Sequence, residues 1–317
     1  MLTESLYILF GLIVLLVSGD LLVRGAVGAA RALNVPALLV SLTIIAFGTS
    51  APELVVAVDA VLKGKDGIAL GNIVGSNIAN VLLVIGLPAI IYPMSTHVPG
   101  LRRHALFMLI ATAALLFIAY TTGTIDTAWG YGLFAGIIGY ITYTGIRAIK
   151  SGGEDPLVDD VEEYDGNGVS IRTILFIVFG LFGLPLGAHL LVENGAELAA
   201  NLGVRDEFIG LTIIAFGTSL PELATVAAAA IHKKSDVAIG NIIGSNIFNI
   251  LAVGGAAGIA GGATFDKSSL SLDLPVMTLA AITISAFVFT QRDINRVTGA
   301  IMAIAYFAFI IILSRSL

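Results

Sequence analysis

The sequence predicts an all-α polytopic membrane protein: ten transmembrane helices in two inverted five-helix repeats, with the second and seventh helices broken. Three observations carry that prediction. Of 317 residues, 57% are hydrophobic and only 12% charged, where about a quarter is usual in a soluble domain; mean hydropathy is +0.98. Apolar runs long enough to cross a hydrocarbon core of about 30 Å recur along the whole length. Two stretches return at a constant offset of 169 residues: LTIIAFGTSAPEL (42–54) as LTIIAFGTSLPEL (211–223), and GNIVGSNIAN (71–80) as GNIIGSNIFN (240–249).

The apolar runs fall at 4–23, 36–62, 68–92, 104–121, 126–148, 171–192, 206–231, 237–261, 272–290 and 297–314. The first lacks a basic n-region and a small-residue cleavage site, so it reads as a retained helix and not a signal peptide. Little is left over for a soluble domain, and the period-two pattern of an outer-membrane barrel is missing. Zero cysteines exclude disulfides and thiolate metal sites. Between the fifth and sixth runs lies SGGEDPLVDDVEEYDGNG (151–168), whose seven acids outweigh the net charge of −6. Its glycines and acids mark a solvated linker, and its spacing does not match a calcium-binding EF-hand loop.

Residues 1–150 and 169–317 are therefore one unit written twice. Even the weaker stretches SGDLLVRG (18–25) and GAHLLVEN (187–194) keep a shared Leu-Leu-Val. A unit with an odd number of spans enters the membrane the second time from the opposite side. The result is the inverted repeat of secondary transporters, whose sites lie near the midplane on interrupted helices. With the N-terminus outside, the inner loops hold eleven Lys and Arg (24, 31, 102, 103, 147, 150, 172, 233, 234, 292, 296) and the outer regions five (63, 65, 205, 267, 315). The positive-inside rule thus places both termini outside and the acidic linker in the cytoplasm of a cell-membrane protein.

The repeated motif explains the breaks. Pro52 and Pro221 lack the N–H that would bond the carbonyl four residues earlier, so the backbone bends and carbonyls lose partners. At membrane depth such a break survives only buried in protein or lining a wet cavity. Glu53 and Glu222 follow, each costing about 3 kcal/mol if ionised at a helix centre. Two carboxylates brought together by inversion repel and bind protons unless a cation separates them. In the second motif, Asn72, Ser76 and Asn80, and likewise Asn241, Ser245 and Asn249, are spaced by four and line one helix face. Gly71 and Gly75, with Gly240 and Gly244, offer small strips for close approach to the broken helix. The donors are all oxygens, since His97, His104, His189 and His232 lie outside the motifs. Such a set suits Ca²⁺ and Na⁺ rather than zinc or copper.

Standing alone, a Gly-Pro break is equally a kink, and an Asn/Ser stripe equally helix glue. Duplication of both motifs at one offset favours ligands. Elsewhere the bland reading prevails: Asp20 with Arg24 as a local ion pair, His189, Glu193 and Glu197 as a polar helix end, Glu207 as a loop acid, and Trp129 and Tyr131 as interfacial anchors.

Together, GTSAPEL with GNIVGSNIAN and GTSLPEL with GNIIGSNIFN resemble the two alpha repeats of the calcium/cation antiporter superfamily, in its sodium/calcium exchanger branch of short prokaryotic form. The resemblance covers essentially the whole chain. It implies that Glu53 and Glu222 are shared carboxylates and that the Thr49 and Thr218 carbonyls complete a calcium site. It also implies that Ser50, Ser76, Ser219 and Ser245, with the carbonyls of Ala46 and Ala215, help to hold flanking Na⁺ ions. Asn80 and Asn249 would complete the middle of the cluster. Several members carry Asp where this chain has Asn249, which tells against potassium dependence. The proton-coupled branch tends to add a glutamate to the GN-containing helix, where this chain has Gly75-Ser76-Asn77 and Gly244-Ser245-Asn246.

The function these residues imply is Na⁺/Ca²⁺ exchange by alternating access, with the first and sixth helices sliding past the core. A proton-driven cation antiporter is the alternative, because a desolvated carboxylate pair also carries protons. An intramembrane enzyme is the third class, but neither a Gly-x-Gly-Asp nor a His-Glu-x-x-His pattern occurs. No cofactor is called for; the expected partners are Ca²⁺, Na⁺ and the lipid bilayer. Neither nucleic-acid binding nor an obligate protein partner is suggested.

Overall fold

The computed structural model describes residues 2–33, 35, 37–151, 169–201, 217–266 and 269–316. Most of the acidic linker (152–168), residues 202–205 and the start of the seventh expected span (206–216) lie outside the described residues. Helices account for nearly everything else. They are α1 (Leu2–Ala32), α2 (Leu38–Thr49), α3 (Ala51–Leu62), α4 (Asp66–Ile91), α5 (Leu101–Thr121) and α6 (Thr127–Ser151). Then follow α7 (Ile171–Asn201), α8 (Leu220–Ile231), α9 (Ser235–Ala260), α10 (Ser269–Thr290) and α11 (Arg296–Ser316).

Among the described residues, seven helices are long and apolar enough to cross a membrane, and the bent pair α2 and α3 makes an eighth. The expected span at 126–148 is present as α6, 25 residues long, but its glycines and tyrosines dilute its hydropathy. Of the expected span at 206–231, only the last part, α8, is described. The first and sixth spans are longer than expected, reaching Ala32 and Asn201. Charged residues that suggested helix ends sit instead on the helix surface in i,i+4 pairs: Asp20 with Arg24 at 2.8 Å and His189 with Glu193 at 3.1 Å.

Burial separates a core from a periphery. In the most apolar stretches of α4 and α9, 83% of residues are buried, against 33% in α1 and 22% in α7. The α1 and α7 helices pack on each other antiparallel and closely. A Cβ placed on Gly11 would meet the Gly187 carbonyl oxygen at 2.9 Å, and one on Gly25 the Ile177 nitrogen at 2.9 Å. Without a hydrophobic drive between helices in lipid, such small-residue contacts supply the packing. In the same way Gly240 and Gly244 bring α9 onto α2, where added Cβ atoms would lie 2.7 Å from Leu38 Cδ1 and from Ala46 Cβ. Gly71 and Gly75 meet no neighbour among the described residues.

The break between α2 and α3 bends the chain by 42°. It falls at Ser50, whose φ and ψ of −87° and 3° are matched by −88° and 2° at Ser219, ahead of α8. Within α4 a wide π turn covers Asn80–Ile85, and within α9 another covers Asn249–Val253. A two-residue strand β1 (Thr124–Ile125) pairs antiparallel with β2 (Ala263–Thr264), and Met94 bridges Ile294.

Candidate functional site

The turn that breaks each span also places its acid. Pro52 and Pro221 sit in the first turns of α3 and α8, where a missing N–H costs nothing, and each is followed directly by a glutamate. Glu53 and Glu222 are fully buried, and among the described residues neither carboxylate makes a well-formed hydrogen bond, although the Thr49 and Ser50 hydroxyls approach Glu222. The two lie in each other's electrostatic field. Around them, Ser50 Oγ, Ser219 Oγ, Asn77 Oδ1, Asn80 Oδ1, Asn241 Nδ2 and both side-chain polar atoms of Asn249 are also buried and unpartnered. Of fifteen such atoms among the described residues, these and the carboxylate oxygens make eleven. A buried polar atom without a partner costs about 1–3 kcal/mol. Such a concentration in one place is the signature of a site completed by something bound.

Contacts between α2 and α9 hold the remaining groups. Thr49 Oγ1 lies 3.5 Å from Asn241 Oδ1, 3.3 Å from Ser245 Oγ and 3.4 Å from the Ala46 carbonyl oxygen, all long contacts. The Ala46 oxygen also accepts the Ser50 N–H at 3.0 Å, so this expected Na⁺ ligand already carries helix bonds. Ser76 and Ser245 are buried, whereas Thr218 is half-buried. Ala215 lies outside the described residues. Asn72, part of the expected stripe, donates to the Glu53 carbonyl at 2.9 Å and so ties α4 to α3.

Two residues that spacing by four passed over belong here. Asn80 Nδ2 donates to Asn246 Oδ1 at 3.1 Å, and Asn246 Nδ2 donates to the Asn77 carbonyl at 3.4 Å. Asn77 and Asn246 occupy the same place in the repeated Gly-Ser-Asn, which was the available signal. The π turns beginning at Asn80 and Asn249 were not legible at all. In α9 the Gly254 N–H reaches back five residues to the Asn249 oxygen, the bonding that opens a helix by one residue.

No group of three or more His, Cys, Asp or Glu side chains converges among the described residues. A cation at this place would be held by two carboxylates plus neutral amide, hydroxyl and carbonyl oxygens. That is a hard, flexible donor set suited to Ca²⁺ and Na⁺.

Comparison with known proteins agrees with this chemistry. The family model described as sodium/calcium exchanger protein matches residues 4–149 and 172–315. CaxA of Alkalimonas amylolytica is 38% identical over 315 residues, covering 98% of both chains. The sodium/calcium exchanger MaX1 of Methanosarcina acetivorans is 31% identical over 341 residues, covering 97% of both. A solved structure of the sodium-calcium exchanger NCX_Mj, soaked with Na⁺ and Sr²⁺, superposes with a TM-score of 0.83 at 30% identity, covering 99% of this chain and 98% of that one. With two motif-bearing halves both matched, the chain belongs to the sodium/calcium exchanger family.

Proposed function

We propose that this protein is a secondary active antiporter that exchanges Na⁺ for Ca²⁺ across the membrane by alternating access. The ions bind near the midplane, where two inverted five-helix repeats meet at the broken second and seventh helices. The observation that carries the reading is the cluster of eleven unpartnered polar atoms, four on Glu53 and Glu222 and seven on their neighbours, among the described residues. In this reading Glu53 and Glu222 are shared by both ions. Thr49, Thr218, Ser50, Ser76, Ser219, Ser245, Asn80, Asn249 and the Ala46 and Ala215 carbonyls fill the shells. Both termini lie outside and the linker 151–168 inside the cell membrane, by the distribution of Lys and Arg.

Competition produces coupling. Na⁺ in sites that share the two acids expels Ca²⁺, and Ca²⁺ taking both acids expels Na⁺. Either load neutralises the charge that otherwise makes occlusion from water expensive. An empty core stays open to the side it faces and does not leak. The peripheral pair α1 and α7, packed through glycines, is the element that slides.

Reconstituted into liposomes at clamped pH, the protein is expected to take up Ca²⁺ down an outward Na⁺ gradient and to lose this in Glu53→Gln and Glu222→Gln. Uptake driven by a pH gradient alone would instead make it a proton-driven exchanger.

A further inference from the structure

A polar cavity of about 380 Å³ opens between the loop before α5 and the loop after α10. Thr96, His97, Arg102, Arg103 and Gln291 line it. Its frame is rigid. Met94 and Ile294 exchange both backbone hydrogen bonds, at 3.0 and 2.9 Å. Thr96 Oγ1 donates to the Phe287 and Arg292 carbonyls, and His97 bonds the Gln291 carbonyl. Close by, the Arg292 carbonyl accepts the Thr96 hydroxyl, Arg296 donates to the Ile91 carbonyl, and Arg103 and Arg147 both approach the Tyr143 hydroxyl.

None of these arginines forms an ion pair among the described residues. Arg102 and Arg296 each give one N–H to a backbone carbonyl, of Phe289 at 3.0 Å and Ile91 at 3.4 Å, which leaves most of each guanidinium's five donors available. The nearest carboxylate in these loops, Asp293, is exposed and makes no ion pair.

The repeat supplies an internal control. Shifted by 169 residues, Met94 falls on Ala263 and Ile125 on Ile294, so the Met94–Ile294 bridge has its counterpart in the β1–β2 pair. There, Arg102 is replaced by Ser271, Arg103 by Leu272, Arg292 by Gly123, Arg296 by Thr127 and His97 by Asp266. Asp66 also caps that ribbon, accepting the Thr264 N–H at 3.0 Å. The same scaffold is thus built with acids on one face and arginines on the other, so the scaffold itself does not demand the arginines.

We infer that the arginine-lined cavity binds the phosphate headgroup of an anionic phospholipid. Guanidinium forks match phosphate oxygens, and basic pockets at the ends of membrane helices recognise anionic headgroups. Next to the cavity, Ile91, Leu106, Val297 and Ile301 are exposed and apolar, within about one and a half turns of the charged residues, so an acyl chain continues down the same face. A free anion would gain the first contact and not the second.

The test is native mass spectrometry of the full-length protein in detergent, titrated with phosphatidylglycerol or phosphatidylcholine. Wild type is expected to retain one phosphatidylglycerol in preference to phosphatidylcholine, undisplaced by millimolar inorganic phosphate. Arg102→Gln with Arg103→Gln is expected to weaken it about tenfold, and Lys63→Gln with Lys65→Gln, on the opposite face, to leave it unchanged. Because loop arginines also set orientation, Val98→Trp provides a second arm: it fills the cavity with every arginine retained and is expected to weaken the lipid as much. Equal retention of the two lipids, displacement by inorganic phosphate, or unchanged binding in Val98→Trp would overturn the inference.

Discussion

Asn80 on α4 donates its side-chain amide to the Asn246 oxygen on α9 at 3.1 Å, across 166 positions of sequence. This bond fixes which way the Asn80 amide points and leaves Asn80 Oδ1 buried without a partner beside the two glutamates. Asn246 is thus a positioning residue for the proposed ion site. In Asn246→Ala, apparent Ca²⁺ affinity is expected to fall about tenfold, the effect of one lost buried hydrogen bond of roughly 1–2 kcal/mol. Calorimetric titration checks this, and an affinity equal to wild type would show that Asn80 needs no orientation.

The buried acids oppose stability when no cation is bound. Two buried carboxylates with no well-formed hydrogen bond and no counter-charge among the described residues destabilise the fold by several kcal/mol. Chelator-treated Glu53→Gln or Glu222→Gln protein is therefore expected to melt higher than chelator-treated wild type. Added Ca²⁺ should raise the wild-type melting temperature, by about 2.7 kcal/mol of stabilisation at a hundredfold excess over Kd, and do little for either variant. Thermal unfolding with and without chelator decides it; a variant that melts lower in both conditions contradicts the account.

Gly244 has no room for a side chain. Its added Cβ would lie 2.7 Å from Ala46 Cβ and 2.8 Å from the Leu42 carbonyl oxygen. Gly244→Ala is expected to destabilise by about 1–3 kcal/mol through overpacking and to shift α9 off α2, weakening exchange as well. Gly139→Ala, at an exposed position with nothing within 4 Å, is the matched control. Similar melting temperatures for the two variants would argue that the α2–α9 contact is loose.

The native chain has no cysteine, so engineered pairs report cleanly. Joining α1 to α7 through Gly28→Cys and Thr173→Cys, where an added Cβ on Gly28 would lie 3.7 Å from Thr173 Cβ, is expected to leave transport intact if those helices move together. Joining α7 to the turn before α8 through Val192→Cys and Gly217→Cys, where an added Cβ on Gly217 would lie 3.2 Å from Val192 Cβ, is expected to stop it. Flux before and after reduction measures both; arrest by the first bridge or tolerance of the second would remove the sliding pair from the mechanism.

What the sequence made legible follows from how each feature is encoded. Glu53 and Glu222 stood out because duplication at one offset flags an improbable combination twice, and the breaks followed from Pro52 and Pro221. Asn77 and Asn246 were passed over because a spacing of four selects one helix face, and these residues sit about 100° round from Ser76 and Ser245. The ends of α1 and α7 were misread because a charge at position 20 or 193 looks like a water boundary, while pairing with Arg24 or His189 lets the helix continue. The Met94–Ile294 bridge and the β1–β2 pair are too short to leave any pattern. The Asp20 carboxylate also takes His232 Nε2 at 2.5 Å, which ties α1 to the turn after α8, a contact between residues 212 apart that local spacing does not reveal.

The π turn at Asn80–Ile85 holds one residue more than an α-helix of the same rise needs. Below it, an added Cβ on Gly86 would lie 3.0 Å from the Gly299 oxygen; above it stand Ser76 and Asn80 of the proposed ion site. Deleting a single residue elsewhere in α4 would turn one half against the other by about 100° and break one of these attachments. Deletion inside the turn absorbs the surplus and keeps both halves in phase. The expected product is a protein that inserts and assembles normally but has lost the widened backbone beside the proposed ion site, so that selectivity is separated from folding by the length of one residue.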